Sequence, residues 1–477
     1  MNRAIVLGGG FAGVLAAAVL ARHADDVILI ETDRYPPGPR PRRGLPQSHH
    51  NHVLVTGGAR ALQALLPGTL EALYARGAHR RGLSGGALIL AAQGWFRRID
   101  TEAYLVACSR GLLDQVVRER ALGGGAVSVW EGAQALGLVG DATRVTGVRA
   151  GRVGGPARTF QADLVVDATG RRSKAPRWLA ELGAPDVEEA GVTSGLAYST
   201  RVYQAPPELA GGVPAIMIHP GPAQGRPAQG ATLFPIEDDR WVVTLTGTRG
   251  GEPPADEQGF TRFARCLRHP IVADLMAAAT PLGGVRPYRD TANRRRFYER
   301  ARLPAGFLAT GDAVVAVNPV HSHGMSVAAL GALRLDRELT RRGFDPSLTP
   351  DLQAAVAAEA ETSWRMAVRQ DGGHAGGADE RREASAFERR IRTRLARAAL
   401  SSPELAADLF HAQTLIQAEA RTDTSSRSRA LRGEPDPLLS SPEAIAQFPG
   451  LHAWWLSRSI PPVTPVRVPV GGEIPRR

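Results

Sequence analysis

The apolar positions of this chain fall first into short unbroken runs. Ala4-Ile5-Val6-Leu7 and Val27-Ile28-Leu29-Ile30 flank a glycine cluster and an alanine-rich stretch from about Ala12 to Arg22. Runs without polar alternation suit strands buried on both faces, so the pattern predicts a parallel βαβ unit. A proline-rich stretch from Tyr35 to Gln47 cannot hold regular structure. Helical periodicity returns from Ala59 to Leu73 and from Arg110 to Ala121, and Leu164-Val165-Val166 reads as a further buried strand. The middle of the chain then turns β-rich, at Ala197 to Tyr203 and Thr232 to Gly247. There Glu237-Asp238-Asp239 separates two strand-like runs, a hairpin signal. Near Gly306 the buried-strand pattern reappears, with a helix after Gly324. Beyond Pro346 the pattern is helical with polar interruptions, and the last 40 residues or so are proline-rich and read as irregular. No repeat of fixed period is visible.

Composition narrows the classes. The net charge of +11 suggests nucleic acid, but of 58 basic residues only Lys174 is a lysine. Arginine, glycine, proline and alanine share GC-rich codons, so the charge reads as codon drift rather than a binding surface. The densest cluster, Arg294-Arg295-Arg296-Phe297-Tyr298, stands without a nucleic-acid module around it. Cys108 and Cys266 are too few for a disulfide framework or a zinc site and are expected to be buried and inert. No run of about 18 apolar residues is present, and the N-terminus lacks the apolar core of a signal peptide. A cytoplasmic protein is the expectation, with neither nucleic acid nor integral membrane association.

Gly8-x-Gly10-x-x-Gly13 lies between a strand and a helix. The first glycine permits a tight turn, the second lets backbone approach a pyrophosphate, and the third lets the helix pack on the strand. Glu31, at the end of the second strand, is placed to accept hydrogen bonds from a ribose diol. The fingerprint alone does not separate NAD from FAD.

Two later segments extend the pattern. With the glycine fingerprint, Asp167-Ala168-Thr169-Gly170-Arg171 and Gly311-Asp312 give the chain a resemblance to FAD-dependent monooxygenases of the p-hydroxybenzoate hydroxylase fold over roughly the first 345 residues. Within that group three stretches look like bacterial flavin epoxidases of polyether biosynthesis and the related squalene epoxidases. They are Arg42-Arg43-Gly44-Leu45-Pro46-Gln47 with His50 and His52, Gly311 to Pro319 with His323-Gly324-Met325-Ser326, and Gly247 to Pro254. Aromatic hydroxylases usually carry G-D-A-A-H where Val314-Val315 stand here, and an aspartate in place of Thr169.

The resemblance implies an α/β fold, a Rossmann-like FAD-binding domain of glutathione-reductase-like βαβ type with an inserted β-rich substrate domain. Residues 1–75, 106–180 and 285–345 would form the former, and 76–105 with 181–284 the latter. Residues 346–477 would add a helical region with an irregular tail. FAD, held non-covalently, would contact Gly8, Gly10, Phe11, Ala12, Gly13, Glu31, Arg42, Arg43, Arg110, Thr169, Gly170, Gly311, Asp312, Pro319, Gly324 and Met325. The implied activity is epoxidation of alkenes in an apolar, polyketide- or terpenoid-like substrate of secondary metabolism, through a C4a-hydroperoxyflavin formed with O2. NADPH or NADH would supply electrons, or a separate flavin reductase would. An alkene needs no protein nucleophile, so no catalytic side chain is assigned; Arg43, His50 and His323 are pocket candidates.

Alternatives stay open at this level. They are an aromatic polyketide hydroxylase of the same fold, a flavin-dependent prenyl reductase sharing the D-A-T-G variant, and a non-catalytic carrier. Halogenation is disfavoured: halogenases of this fold rely on a lysine near the substrate, and the W-x-W-x-I-P signature is missing. His49, His50 and His52 lack the acidic or cysteine partner that a metal site would need.

Overall fold

A computed structural model describes residues 1–152, 154–221, 227–372, 386–416, 428, 430–433 and 436–459. Its centre is a five-stranded parallel sheet in the order Phe307–Ala309, Leu164–Asp167, Arg3–Leu7, Asp26–Glu31 and Ser128–Glu131. Alternate residues of these strands enter two different cores. Ala4, Val6, Leu29 and Val166 pack with helices Phe11–Leu20, Arg110–Leu122 and Gly324–Arg342. Ile5, Leu7, Ile30 and Val165 pack on the opposite side, with Val145, Val148, Trp178 and Leu179. Both faces are covered, and so the central positions of these strands are apolar without alternation. The predicted α/β class is the class observed.

A seven-stranded sheet stands beside this unit, in the order Thr280–Tyr288, Ala197–Gln204, Arg240–Gly247, Gln229–Ile236, Ala215–Ile218, Ala87–Ala91 and Gly94–Trp95. The hairpin at Glu237 forms as the sequence indicates, with Asp238 (φ 60) and Asp239 (φ 52) both left-handed, as a tight primed turn requires. One face of the sheet packs Trp241, Val243 and Tyr203 against Phe260, Leu275 and the C-terminal Ile445 and Leu451.

Three expectations are corrected. The helix predicted from Ala59 to Leu73 is two helices, Thr56–Leu65 and Thr69–Ala75. Pro67 disfavours helical backbone at Leu66, which adopts φ −131 and ψ 78, and Gly68 follows with φ 81. The expected irregular C-terminal stretch contains helices Ser441–Ala446 and Pro449–Ser459, started by proline in the first turn and, for the former, a Ser440–Glu443 capping box. The remainder of that stretch, 460–477, lies outside the described residues. Finally, Cys108 is buried but Cys266 is exposed, because it closes helix Glu257–Arg265 on its outer side.

Candidate active site

Three glycine segments far apart in sequence touch one another. A Cβ at Gly8 (φ +91) would lie 2.7 Å from the Ala168 carbonyl oxygen and 3.1 Å from Thr169 Cα. At Gly13 it would lie 1.8 Å from the Gly8 oxygen, and at Gly311 (φ +59) 2.6 Å from Ala12 Cβ. Only glycine fits these contacts, so the fingerprint, the Asp167–Gly170 strand end and the Gly311 turn are locked together. Gly10 differs: nothing lies within 4 Å of a Cβ there. The helix that it opens, Phe11–Leu20, has no side-chain cap and no acid in its first turn. Its first amides therefore point into open space, as anion-binding helix ends do. Phe11 is buried, and Ala12 is half-buried against Gly311.

Asp312 sits in the short turn Gly311–Ala313, and its carboxylate has no hydrogen-bond or ion-pair partner among the described residues. Burial pushes this carboxyl up, and Arg171 and Arg110 oppose the rise. A Cβ on Gly324 would be 3.5 Å from Asp312 Oδ1, so a second uncapped helix start, Gly324–Arg342, faces the same carboxylate. Met325 and Pro319 are half-buried beside it. Arg110 is buried at the start of its helix, paired with Asp114 at 2.7 Å. That start is held twice: the Ser109 hydroxyl accepts from Leu112 N–H, and Glu237 of the hairpin accepts from Ser109 N–H at 2.9 Å. Thr169 donates through its N–H and hydroxyl to Asp167, and Ser173 donates to the other Asp167 oxygen, shaping the turn at Gly170 (φ +80).

Glu31 and Arg42 form a buried pair at 2.8 Å. Glu31 also accepts from Gly9 N–H at 2.6 Å and Asp33 N–H at 2.7 Å, while Arg42 donates to the Gly9 carbonyl at 2.7 Å. Tyr35 donates to the same carbonyl and lies between Arg42 and Arg118, whose guanidinium carbons are 4.9 and 4.5 Å from its ring centre. The carboxylate placed for a ribose is thus already oriented by the protein. Arg43, its neighbour in sequence, is exposed.

His50 enters from the loop before strand Val53–Val55 and meets the inner face of the large sheet. Its Nδ1 is 2.8 Å from Thr200 Oγ1, which is 2.8 Å from Thr244 Oγ1. Asn51 donates to Thr232 in the same cross-strand row. The His50 ring lies 5.1 Å from Tyr288 and 6.5 Å from Tyr198. Burial, with a smaller contribution from His49, pushes His50 down to about 4. His52 donates from Nδ1 to the His50 carbonyl, and burial beside Arg110 takes it to about 3. Tyr198 donates to Asn318 Oδ1 and accepts from Val320 N–H at 2.7 Å, fixing the turn that carries Pro319.

His323 corrects the expectation that it lines the pocket. It is 1% exposed, and both ring nitrogens are engaged, Nδ1 with Ser363 Oγ at 3.0 Å and Nε2 with the Gln413 carbonyl at 2.9 Å. A carbonyl only accepts, so Nε2 carries the proton and Nδ1 accepts. Tyr35, Tyr198, Thr200 and Tyr288 are site-forming residues that motif reading passes over. Only the alternation in Tyr198-Ser199-Thr200 hints at a polar sheet face. A surface hollow of about 570 Å³ beside Trp454 and Arg458 involves none of these groups.

FAD fits this arrangement. A partly buried carboxylate without a partner among the described residues and an open glycine cradle at a bare helix start suit the hydroxyls of a ribityl chain and a pyrophosphate. Comparison with known proteins agrees in fold. Residues 2–341 match the family model described as FAD binding domain. "Protein Rv3254" of Mycobacterium tuberculosis is 29% identical over 385 residues, 76% of this chain and 79% of that protein. Among solved structures, p-nitrophenol 4-monooxygenase PnpA from Pseudomonas putida superposes with a TM-score of 0.61 at 17% identity, over 87% of this chain and 99% of that one. PqsL from Pseudomonas aeruginosa, described as a probable FAD-dependent monooxygenase, gives 0.59 at 20%, over 80% and 97%. The flavin-dependent brominase Bmp2 gives 0.59 at 15%, over 90% and 97%. At these identities the likeness speaks for the fold.

Proposed function

Since the chain belongs to the FAD binding domain family, we propose that it is a flavin-dependent monooxygenase that epoxidises a carbon–carbon double bond of a polyketide- or terpenoid-like small molecule. The observation that carries this reading is the meeting of the three glycine segments around the unpartnered Asp312, next to a buried aromatic and polar sheet face. Bound FAD would supply the activation of O2, one atom of which passes to the substrate while the other leaves as water. The chain's own residues bind, orient and exclude water.

In this reading Gly8, Gly10, Phe11, Ala12 and Gly13 hold the pyrophosphate, and Glu31 with Arg42 the adenosine ribose. Arg110 and Asp312 hold the ribityl chain; Thr169, Gly170, Gly311, Pro319, Gly324 and Met325 border the flavin ring. Arg43 sits exposed at the rim. The FAD unit takes in 1–75, 106–180 and 285–345, and 76–105 with 181–284 cover the substrate. Tyr198, Tyr288 and His50 wall the space between Asp312 and the Pro319 turn, where the unsaturated carbon must be held about 3 to 3.5 Å from the transferred oxygen. A dry wall keeps water from that oxygen. No second glycine fingerprint follows a later strand, so NADPH or NADH would bind transiently, or a separate reductase would deliver electrons.

Aromatic hydroxylation is a second reading, favoured by the tyrosines, histidine and threonines on the wall. Incubation with 18O2 and a panel of polyenes and hydroxyarenes tests both. Incorporation of one labelled atom into a polyene as an epoxide supports the first reading, and into an aromatic ring the second. Conversion without O2 overturns both in favour of a reductase.

A further inference from the structure

The polar row on the inner sheet face ends in a group that has no partner among the described residues. Thr232, Thr244 and Thr200 lie directly across from one another on three adjacent strands. The Thr244 and Thr200 hydroxyls are 2.8 Å apart, and the Thr200 hydroxyl is 2.8 Å from His50 Nδ1. Thr200 is 1% exposed, Thr244 5% and His50 8%. The direction of this chain follows from counting donors. If Thr244 donates to Thr200 and Thr200 donates to Nδ1, every hydroxyl proton has an acceptor. The reverse direction leaves the Thr244 proton without one among the described residues, which is costly at such burial. Nδ1 therefore accepts, and Nε2 bears the hydrogen.

That Nε2–H has no partner among the described residues. The neighbouring Tyr288 hydroxyl, on a ring 5.1 Å from the His50 ring, has none either. Burial pushes the Tyr288 phenol up, Arg171 opposes the rise, and Asp290 and then Asp312 add to it, so Tyr288 lies within electrostatic reach of Asp312. The two idle donors thus sit beside the place assigned to the flavin. Apolar contact alone would not require a nine-tenths-buried imidazole backed by two buried hydroxyls.

We propose that His50, oriented by Thr200 and Thr244 and flanked by Tyr288, binds an acceptor oxygen of the substrate. The substrate is then an unsaturated molecule with a carbonyl or a deprotonated hydroxyl near the carbon that is oxidised, rather than a plain hydrocarbon alkene. This rests on the monooxygenase reading for the location of the reacting carbon, but the contact itself does not need turnover.

The test is therefore equilibrium binding to the FAD-loaded protein, followed by the change in flavin absorbance. The probes share one skeleton: naphthalene, 1-naphthol and 1,4-naphthoquinone. The native protein is expected to bind at least one oxygenated probe about tenfold tighter than naphthalene, the scale of one buried hydrogen bond. Preference for naphthoquinone identifies a carbonyl; preference for naphthol, growing as pH approaches the naphthol pKa, identifies the anion. In His50→Phe the ratio of oxygenated-probe affinity to naphthalene affinity should fall to about one. Thr200→Val, nearly isosteric, should reduce it several-fold and serves if His50→Phe does not fold. Equal affinity for all three probes, no binding by any, or a preference that survives both substitutions overturns the proposal. Selective binding without O2-dependent turnover would leave this site standing and sink the oxygenase reading instead.

Discussion

Buried Arg42 and half-buried Asp312 show how differently two ionisable residues can be held. Arg42 is held by the Glu31 carboxylate, the Gly9 carbonyl and a longer contact to Asp33, whereas the Asp312 carboxylate has no partner among the described residues. Asp312→Ala should lower FAD retained through gel filtration by tenfold or more and leave the far-UV circular dichroism unchanged; full FAD occupancy would refute its role. The buried histidines make a second prediction. His50, His52 and His323 are kept neutral, at about 4, 3 and 4, chiefly by burial. Above the unfolded value near 6.5 they add no pH dependence. As pH falls below it, the unfolded chain takes up protons that the fold refuses, so stability drops between about 6.5 and 4. Tm should be level from pH 7 to 8 and decline below 6.5, and His323→Gln should flatten the decline; parallel curves for variant and native protein would remove His323 from the account. Thiol labelling offers a third: Cys266 should react in the native protein and Cys108 only after denaturation. Residue identities at motif positions were readable in the sequence because glycine and aspartate there answer to local backbone needs. Which of Arg42 and Arg43 turns inward was not, since that depends on Glu31 and Tyr35 approaching from elsewhere. His323 was misplaced for the same reason: Ser363 and Gln413 belong to later helices that no local pattern brings to it.

At the scale of elements, the site is assembled by caps and close contacts between neighbours. Glu237, at the tip of a hairpin in the large sheet, accepts from Ser109 at the start of the helix that carries Arg110. It is 5% exposed and also pairs with Arg240. Glu237→Ala should leave the Ser109 amide buried and unpaired and cost about 1–3 kcal/mol in denaturant unfolding. It should also weaken FAD binding, because Arg110 loses its anchor; unchanged FAD affinity would show that the hairpin serves stability alone. The strands and helices of the parallel unit were legible from unbroken apolar runs and a glycine turn. The Thr200–Thr244–Thr232 row was not, because a row across three strands is set by register, and register joins residues that lie far apart in sequence.

The whole molecule joins a parallel sheet to a mixed, mostly antiparallel one that carries Tyr198, Tyr288 and Thr200 on one face. Purified protein should be yellow and release FAD on denaturation, and FMN or a colourless protein after FAD addition would contradict the fit. Arg43→Ala, at an exposed position, should leave FAD occupancy intact and raise H2O2 released per NADPH consumed if Arg43 shields the rim; unchanged coupling would make it ordinary surface.

The order of strands in the parallel sheet bears on how the protein is made. The edge strand Phe307–Ala309 and the turn carrying Asp312 are translated some three hundred residues after the glycine fingerprint that they complete. During synthesis the first strand and its alanine helix emerge with no partner on one side, and the seven-stranded sheet can close before its neighbour does. If these segments hold FAD, its full grip must wait until the Asp312 turn has emerged, long after the glycine fingerprint is exposed. Cells short of flavin should accumulate a nascent or newly released chain whose oldest segment is its least protected.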